Sequence, residues 1–281
     1  MHVRLLKSHF DIVTVEEWVR CAAIHEPLPA RACALTFDDG WRDNFEHAFP
    51  VLRSERVPAT MYVVTDLVGS EYEFWPNRIA RLLAGRNGSG CKSWPTWLAN
   101  EVSEVTNSPE KYQPLSIAEI DLVITRCKSR YTDDSMLSML GRIETNEASS
   151  SDTDNRNLLS WDEIRTLADS GIFQFGSHTR HHTRLDSRVA SHVLQDEICE
   201  SRRILESHLG KRATSFCYPN GDFCSPALEL VRTSYSAAVT TRNGVNSQNT
   251  DRHLLKRVGI HEAAASTKPA FLSWLARAYI H

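Results

Sequence analysis

Residues 32–40 read "ACALTFDDG". A short apolar run that stops at two adjacent aspartates and a glycine is the pattern of a buried strand entering a tight turn. Neighbouring side chains leave an extended or turning segment on different sides, so Asp38 and Asp39 can take different jobs. Alone, Asp-Asp-Gly is also an ordinary turn. Working outward, a helix is predicted over about 43–55, followed by the β-branched and aromatic strand "ATMYVVT" (59–65). "LSWDEIRTLADSG" (159–171) carries a capping box of Ser160 with Glu163, an apolar stripe at Ile164, Leu167 and Ala168, and a Gly171 stop. It runs into the strand "IFQFGS". Residues 188–209 predict one long helix with Leu194, Ile198, Leu205 and Leu209 on a single face, ended by Gly210. "TSFCYP", "SAAVTT" and "HLLKRVGI" are further strands, and "KPAFLSWLARAYI" is a closing helix. Strand–helix alternation of this kind predicts parallel β-structure in a barrel-like or doubly wound α/β fold. Asp38, Asp39, His178, Tyr218–Gly221 and His261 all follow strands, which in a (β/α) barrel places them on the face where active sites are built.

Between about 68 and 157 the alternation breaks. "EYEFWPNRIARLLAG" and "LSIAEIDLVITRCKSRY" are helical, "GRNGSG" is a flexible break, and "NEASSSDTDNRN" is a polar loop. The segment is expected to be a mainly helical insertion within a single domain spanning 1–281. Its aromatic residues Phe74, Trp75, Trp94 and Trp97 either line a substrate groove or form the insertion's own small core.

Composition limits the function classes. Across 281 residues, 41% are hydrophobic and 24% charged, with a formal net charge of −3. That is ordinary for a globular protein with a sizeable core and gives no signal for nucleic acid or an anionic membrane surface. No apolar run is long enough to span a bilayer, and the N-terminal residues meet charges too early for a secretory signal. The expected location is the cytoplasm, or outside it if a leader has been removed. The seven cysteines are odd in number and form no C-x-x-C pair, so reduced thiols are expected rather than a disulfide framework.

"FGSHTRHHTRL" (175–185) adds histidines at 178, 181 and 182. His178 and His182 are four apart, so one helical turn would face both rings to one point. His-x-x-x-His with a carboxylate is a three-ligand set that leaves coordination positions open, as in catalytic metal sites. His181 is not excluded by spacing alone. The ligand types favour Zn²⁺ and also accept Mn²⁺, Co²⁺ or Ni²⁺.

"LTFDDG" (35–40), "GSHTRHHTRL" (176–185) and "FCYPNGD" (216–222), in that order, resemble the first three motifs of the polysaccharide deacetylase (NodB-homology, carbohydrate esterase) family. The resemblance covers roughly 30–65 and 158–265 and leaves the insertion outside. It implies a distorted, TIM-like (β/α)₇ barrel and metal-dependent removal of N-acetyl groups from amino sugars, polymeric, oligomeric or lipid-linked. Carried over by position, Asp39, His178 and His182 resemble the metal triad and Asp38 the catalytic base. The family's H-S/T-x-x-H pattern makes His181 a spacer, and Thr179 matches its hydroxyl. The amide after the third motif's proline, here Asn220, resembles the oxyanion donor, with Tyr218 and Arg257 also placed at the oxyanion or substrate. The fifth motif supplies a histidine acid; His261 is the best positional match and His253 the second.

Two departures stand out. The usual Arg-x-Pro-Tyr is here Cys217-Tyr218-Pro219-Asn220, so the arginine that holds the catalytic aspartate is missing from that motif. The segment is more similar to the F-A-Y-P-Y-G branch of exopolysaccharide-associated deacetylases, which also lacks it. Arg257 either supplies the charge from another strand or is a solvated strand-end arginine. An Asp-x-x-Asp-Trp fourth motif has no match. Two alternatives accompany the expected activity: the same site acting on a glycosylated metabolite or nucleotide sugar, and a non-catalytic carbohydrate-binding protein retaining the fold.

Overall fold

A computed structural model describes residues 1–24, 26–84, 94–106, 115–144, 156–247, 249–260 and 266–277. These hold eight short strands: β1 (Asp11–Val13), β2 (Ala32–Ala34), β3 (Thr36–Phe37), β4 (Ala59–Val63), β5 (Phe173–Ser177), β6 (Ser215–Cys217), β7 (Ala237–Asn243) and β8 (Leu255–Arg257). β1 pairs with β2, and β3 to β8 form a six-stranded sheet in sequence order, every pair parallel. β2 and β3 flank Leu35, whose carbonyl still accepts the Thr60 N–H at 2.9 Å. Residues 32–37 therefore act as one interrupted strand, and seven strand positions result, as a distorted (β/α)₇ barrel requires.

The interior alternates as strand geometry demands. In β4, Ala59, Met61 and Val63 join the large core beneath the helices. Tyr62 belongs instead to a smaller cluster with Cys217, Ala237, Val239 and Leu255. Gly176 permits the close approach of β5, since a Cβ there would stand 2.5 Å from the Tyr62 ring. The sheet curls until its two edge strands are within one side chain of each other: Arg257 of β8 reaches Thr36 Oγ1 of β3 at 3.2 Å.

The helices follow their caps. Ser160 and Glu163 form the expected capping box on Trp161–Asp169, and Thr14 caps Val15–Ala23. The expected long helix over 188–209 runs without a break through Ser191–Gln195, a π-turn at Asp196–Glu200, and Ser201–Leu209. Leu194, Ile198 and Leu205 are buried as expected. These residues are buried on both sides of the wide turn, so their spacing alone does not reveal it.

The chain divides into two compact units, 1–71 with 156–281, and 72–155. The second unit contains the helices Trp75–Leu83, Thr96–Thr106, Ile117–Arg130 and Asp133–Glu144. Trp75, Ile79, Leu98, Val123, Met136 and Leu140 form its own core, against which Trp94 and Trp97 pack. Phe74 is likewise buried. These aromatic residues are thus largely core material. The polar loop expected at 146–157 falls almost entirely outside the described residues. No described helix is long and apolar enough to cross a membrane, and the six described cysteines are free thiols.

Candidate active site

Four strands deliver side chains to one place at their C-terminal ends. β3 leads into Asp38 and Asp39 and β5 into His178, while β6 ends in Cys217 and β8 in Arg257. The turn after β3 needs left-handed backbone at Asp39 (φ 69°) and Gly40 (φ 76°), which separates the two carboxylates.

Asp39 faces the histidines. Its Oδ1 lies 3.4 Å from His178 Nε2 and 3.4 Å from His182 Nε2. Trp41 Nε1–H donates to Oδ2 at 3.0 Å. His178 is 2% exposed; its Nδ1 lies 2.7 Å from the Cys217 carbonyl. An N–H donated there directs Nε2 towards Asp39, the outer contact that commonly orients a metal-binding imidazole. Burial opposes the charged form of Asp39. The charges of His178 and His182 and the Trp41 N–H outweigh it and take the pKa down to about 2. For His178 burial likewise opposes charging. Its neighbours Cys217, Asp39 and Asp38 overcome this and raise its pKa.

Asp38 turns the other way. Arg257 Nη1 and Nη2 donate to its two oxygens at 2.7 Å each, a bidentate pair. Arg257 Nε–H also donates to the Thr240 carbonyl at 2.8 Å, and the Cys217 thiol lies 3.5 Å from Asp38 Oδ2. Burial works against the Asp38 carboxylate, but Arg257 and the charge of His178 hold its pKa below the ordinary value. Burial and the charge of Asp38 push the Cys217 thiol up, so it stays an S–H donor. Arg257 is therefore not a solvated strand-end residue.

The donor set fits a divalent cation. Asp39, His178 and His182 can each offer one ligand atom, all within 4.8 Å of one another. Asp39 Oδ1 is buried with no hydrogen-bond partner. Its 3.4 Å separations match the roughly 3.3–3.6 Å edge of a tetrahedron with metal–ligand bonds of about 2.0–2.2 Å. Asp38, His178 and Cys217 also lie within 4.8 Å. There a guanidinium already covers both Asp38 oxygens and repels a second cation.

The rings of His178 and His182 do not meet through a helical turn. Residues 178–184 form a loop in which Thr179 (φ 68°) and His182 (φ 64°) are left-handed, at about 1–2 kcal/mol each. The ring centroids end 4.9 Å apart. The two rings expected to meet across a helical turn are brought together by a loop instead.

The remaining expected residues are dispersed. Tyr218 is fully buried against Phe216 and Phe223. Asn220 (φ 55°) occupies the tight turn Pro219–Gly221, where its carbonyl accepts the Thr241 hydroxyl at 2.8 Å. His253 is buried with Nε2 3.0 Å from the Tyr235 carbonyl, a structural placement. His261 lies outside the described residues. Trp41 and Cys217 were not anticipated from sequence. The signal for Trp41 is its position immediately after "DDG"; Cys217 had none beyond replacing a motif residue.

Fold and site together define a barrel protein with a carboxylate–imidazole cluster at its strand ends. The chain belongs to the polysaccharide deacetylase family, whose model matches residues 25–113 and 135–235. That match takes in much of 72–155, which the motif resemblance had left outside. No curated protein matches the chain significantly. Among solved structures, the Streptococcus pyogenes deacetylase PplD is similar at TM-score 0.58 and 18% identity, covering 95% of this chain and 80% of that one. IcaB from Ammonifex degensii is similar at TM-score 0.59 and 19% identity, covering 96% and 84%. A polysaccharide deacetylase from Bacillus cereus matches at TM-score 0.58 and 20% identity, covering 98% of this chain and 59% of that one. At such identities the likeness is one of fold.

Proposed function

We propose that this chain is a metal-dependent hydrolase that removes acetyl groups from N-acetylated amino sugars carried on a polysaccharide, an oligosaccharide or a lipid-linked glycan. Family membership supports the deacetylase class. The observation that carries the metal reading is the buried, unpartnered Asp39 Oδ1 set 3.4 Å from two imidazole nitrogens. Asp39, His178 and His182 would hold the cation, with Zn²⁺ favoured by ligand type. A bound divalent ion supplies a Lewis acid and brings a water's pKa down to about 7.

The chain's own groups provide the rest. Asp38, kept ionised by Arg257, takes the proton of the attacking water. The Asn220 amide, presented by the Pro219–Gly221 turn, donates to the developing oxyanion. Tyr218 supports that turn from the core. His261 is assigned the proton for the leaving amine, because expelling an amide anion is prohibitively costly.

The test is acetate release from chito-oligomers, peptidoglycan fragments and N-acetylated small molecules, with and without chelator. Release that chelator abolishes and Zn²⁺ or Co²⁺ restores is expected. Release indifferent to chelator overturns the metal reading; no release from any of these substrates overturns the deacetylase reading.

A further inference from the structure

One buried carboxylate has no part in this chemistry. Glu197 is 2% exposed and sits in the π-turn Asp196–Glu200. Its Oε2 accepts the backbone N–H groups of Arg180 at 2.9 Å and His181 at 3.0 Å. Its Oε1 accepts the Thr183 hydroxyl at 3.0 Å and lies 2.8 Å from His181 Nδ1. All four partners belong to 180–183, the stretch that carries His182. From the opposite side, the Thr65 and Asp66 N–H groups donate to the Thr179 and Arg180 carbonyls at 3.2 and 3.0 Å. The Arg180 guanidinium links Asp66 to Asp196. The π-turn lets consecutive acidic residues both address this loop: Asp196 takes the Arg180 side chain and Glu197 takes the backbone. Such single wide turns recur at functional sites. Left-handed Thr179 and His182 persist only where surrounding contacts over-determine them.

We propose that Glu197 is the positioning residue of the candidate metal centre, setting the 180–183 loop so that His182 faces Asp39 before any cation arrives. This rests on the reading that Asp39, His178 and His182 hold a divalent ion. The role needs two acceptor oxygens, each serving two partners, and a glutamine has only one. His181 thereby gains a structural place, its ring joining Glu197 to Asp66, 3.3 Å from Nε2.

The test measures Zn²⁺ dissociation constants of the metal-free full chain by competition with a chromophoric chelator, beside hydrogen exchange of the Arg180 and His181 amides without metal. Glu197→Ala is expected to weaken Zn²⁺ binding about 10–100-fold, the usual cost of losing a partner behind the ligands. Glu197→Gln, which keeps one acceptor, is expected between Glu197→Ala and wild type, and Thr183→Val closest to wild type. Both amides exchange faster in the two Glu197 variants. Leu205→Ala, a core change in the same helical stretch, controls for lost stability and leaves Zn²⁺ affinity intact. Should Glu197→Ala not fold, Glu197→Gln and Thr183→Val carry the comparison. Unchanged affinity in every folded variant, or an equal loss in Leu205→Ala, overturns the proposal. A wild type that binds no Zn²⁺ overturns the metal reading instead; the exchange data, taken without metal, then decide whether Glu197 orders the loop.

Discussion

Asp38 and Asp39 are chemically identical neighbours on one turn, yet they stand in two different regions. Asp38 belongs to the seam where β8 meets β3, both its oxygens bonded by Arg257. Asp39 belongs to the histidine loop, with one oxygen bonded by Trp41 and the other left without a partner. A carboxylate saturated by a guanidinium is suited to stay ionised and accept a proton. One with a bare, buried oxygen between two imidazoles is suited to bind a cation. The partners assign the roles, and the amino-acid type does not. Removing the Asp39 carboxylate should therefore have the largest effect. Asp39→Ala is expected to lose the metal and, with several kcal/mol of transition-state stabilisation gone, about a thousandfold or more of kcat/KM. Metal content by emission spectroscopy and acetate release check both halves; retained stoichiometric Zn²⁺ would break the contrast between the two aspartates.

Asp38→Asn tests the other side. It should lower kcat by on the order of 10²–10³ while Zn²⁺ affinity stays near wild type. If the metal is stripped instead, the two roles are reversed. A smaller effect is expected from Arg257→Lys, which replaces a bidentate fork by a point charge. Arg257 depresses the pKa of Asp38, so weakening the pair raises that pKa. The acid limb of kcat/KM then moves to higher pH, and activity at neutral pH falls about tenfold, the loss of roughly one charge-assisted hydrogen bond. A pH profile superimposable on wild type would show that Arg257 does not act through Asp38.

How much of this was legible in the sequence depends on how local each signal is. "ACALTFDDG" exposes its strand and its turn because period and turn chemistry act over a few residues. The Ser160–Glu163 capping box is legible for the same reason. Arg257 and Asp38 are 219 positions apart, and nothing within "LLKRVGIH" tells a solvated arginine from one that closes a curled sheet. The histidine loop misled differently. A spacing of four fits a helical turn, and no propensity rule marks Thr179 or His182 as left-handed. Those conformations are imposed by Glu197 and by the Thr65–Asp66 backbone, both contributed from elsewhere in the chain. Glu197 itself was hidden inside an apolar pattern that gives no sign of the π-turn. For 72–155, helical periodicity was informative about elements, while the fate of its tryptophans needed the packed core to decide between a groove and an interior.

Cys217 gives the finest division of the site, because its two ends serve different carboxylate neighbourhoods. Its sulfur lies 3.5 Å from Asp38 Oδ2 and 3.4 Å from Arg257 Nη2. Its carbonyl accepts the imidazole of His178 at 2.7 Å. Cys217→Ala removes the first contact and keeps the second. An S–H donor is weak, and the cavity left by one sulfur at a fully buried position is small. The expected result is a loss of about 1 kcal/mol in stability, a two- to fivefold fall in kcat, and an unchanged Zn²⁺ dissociation constant. Chemical denaturation, acetate-release kinetics and chelator competition measure the three quantities on one preparation. A Zn²⁺ affinity that falls together with kcat would mean that the seam and the histidine loop are coupled through this residue, and that Asp38 and Asp39 do not act as separate halves.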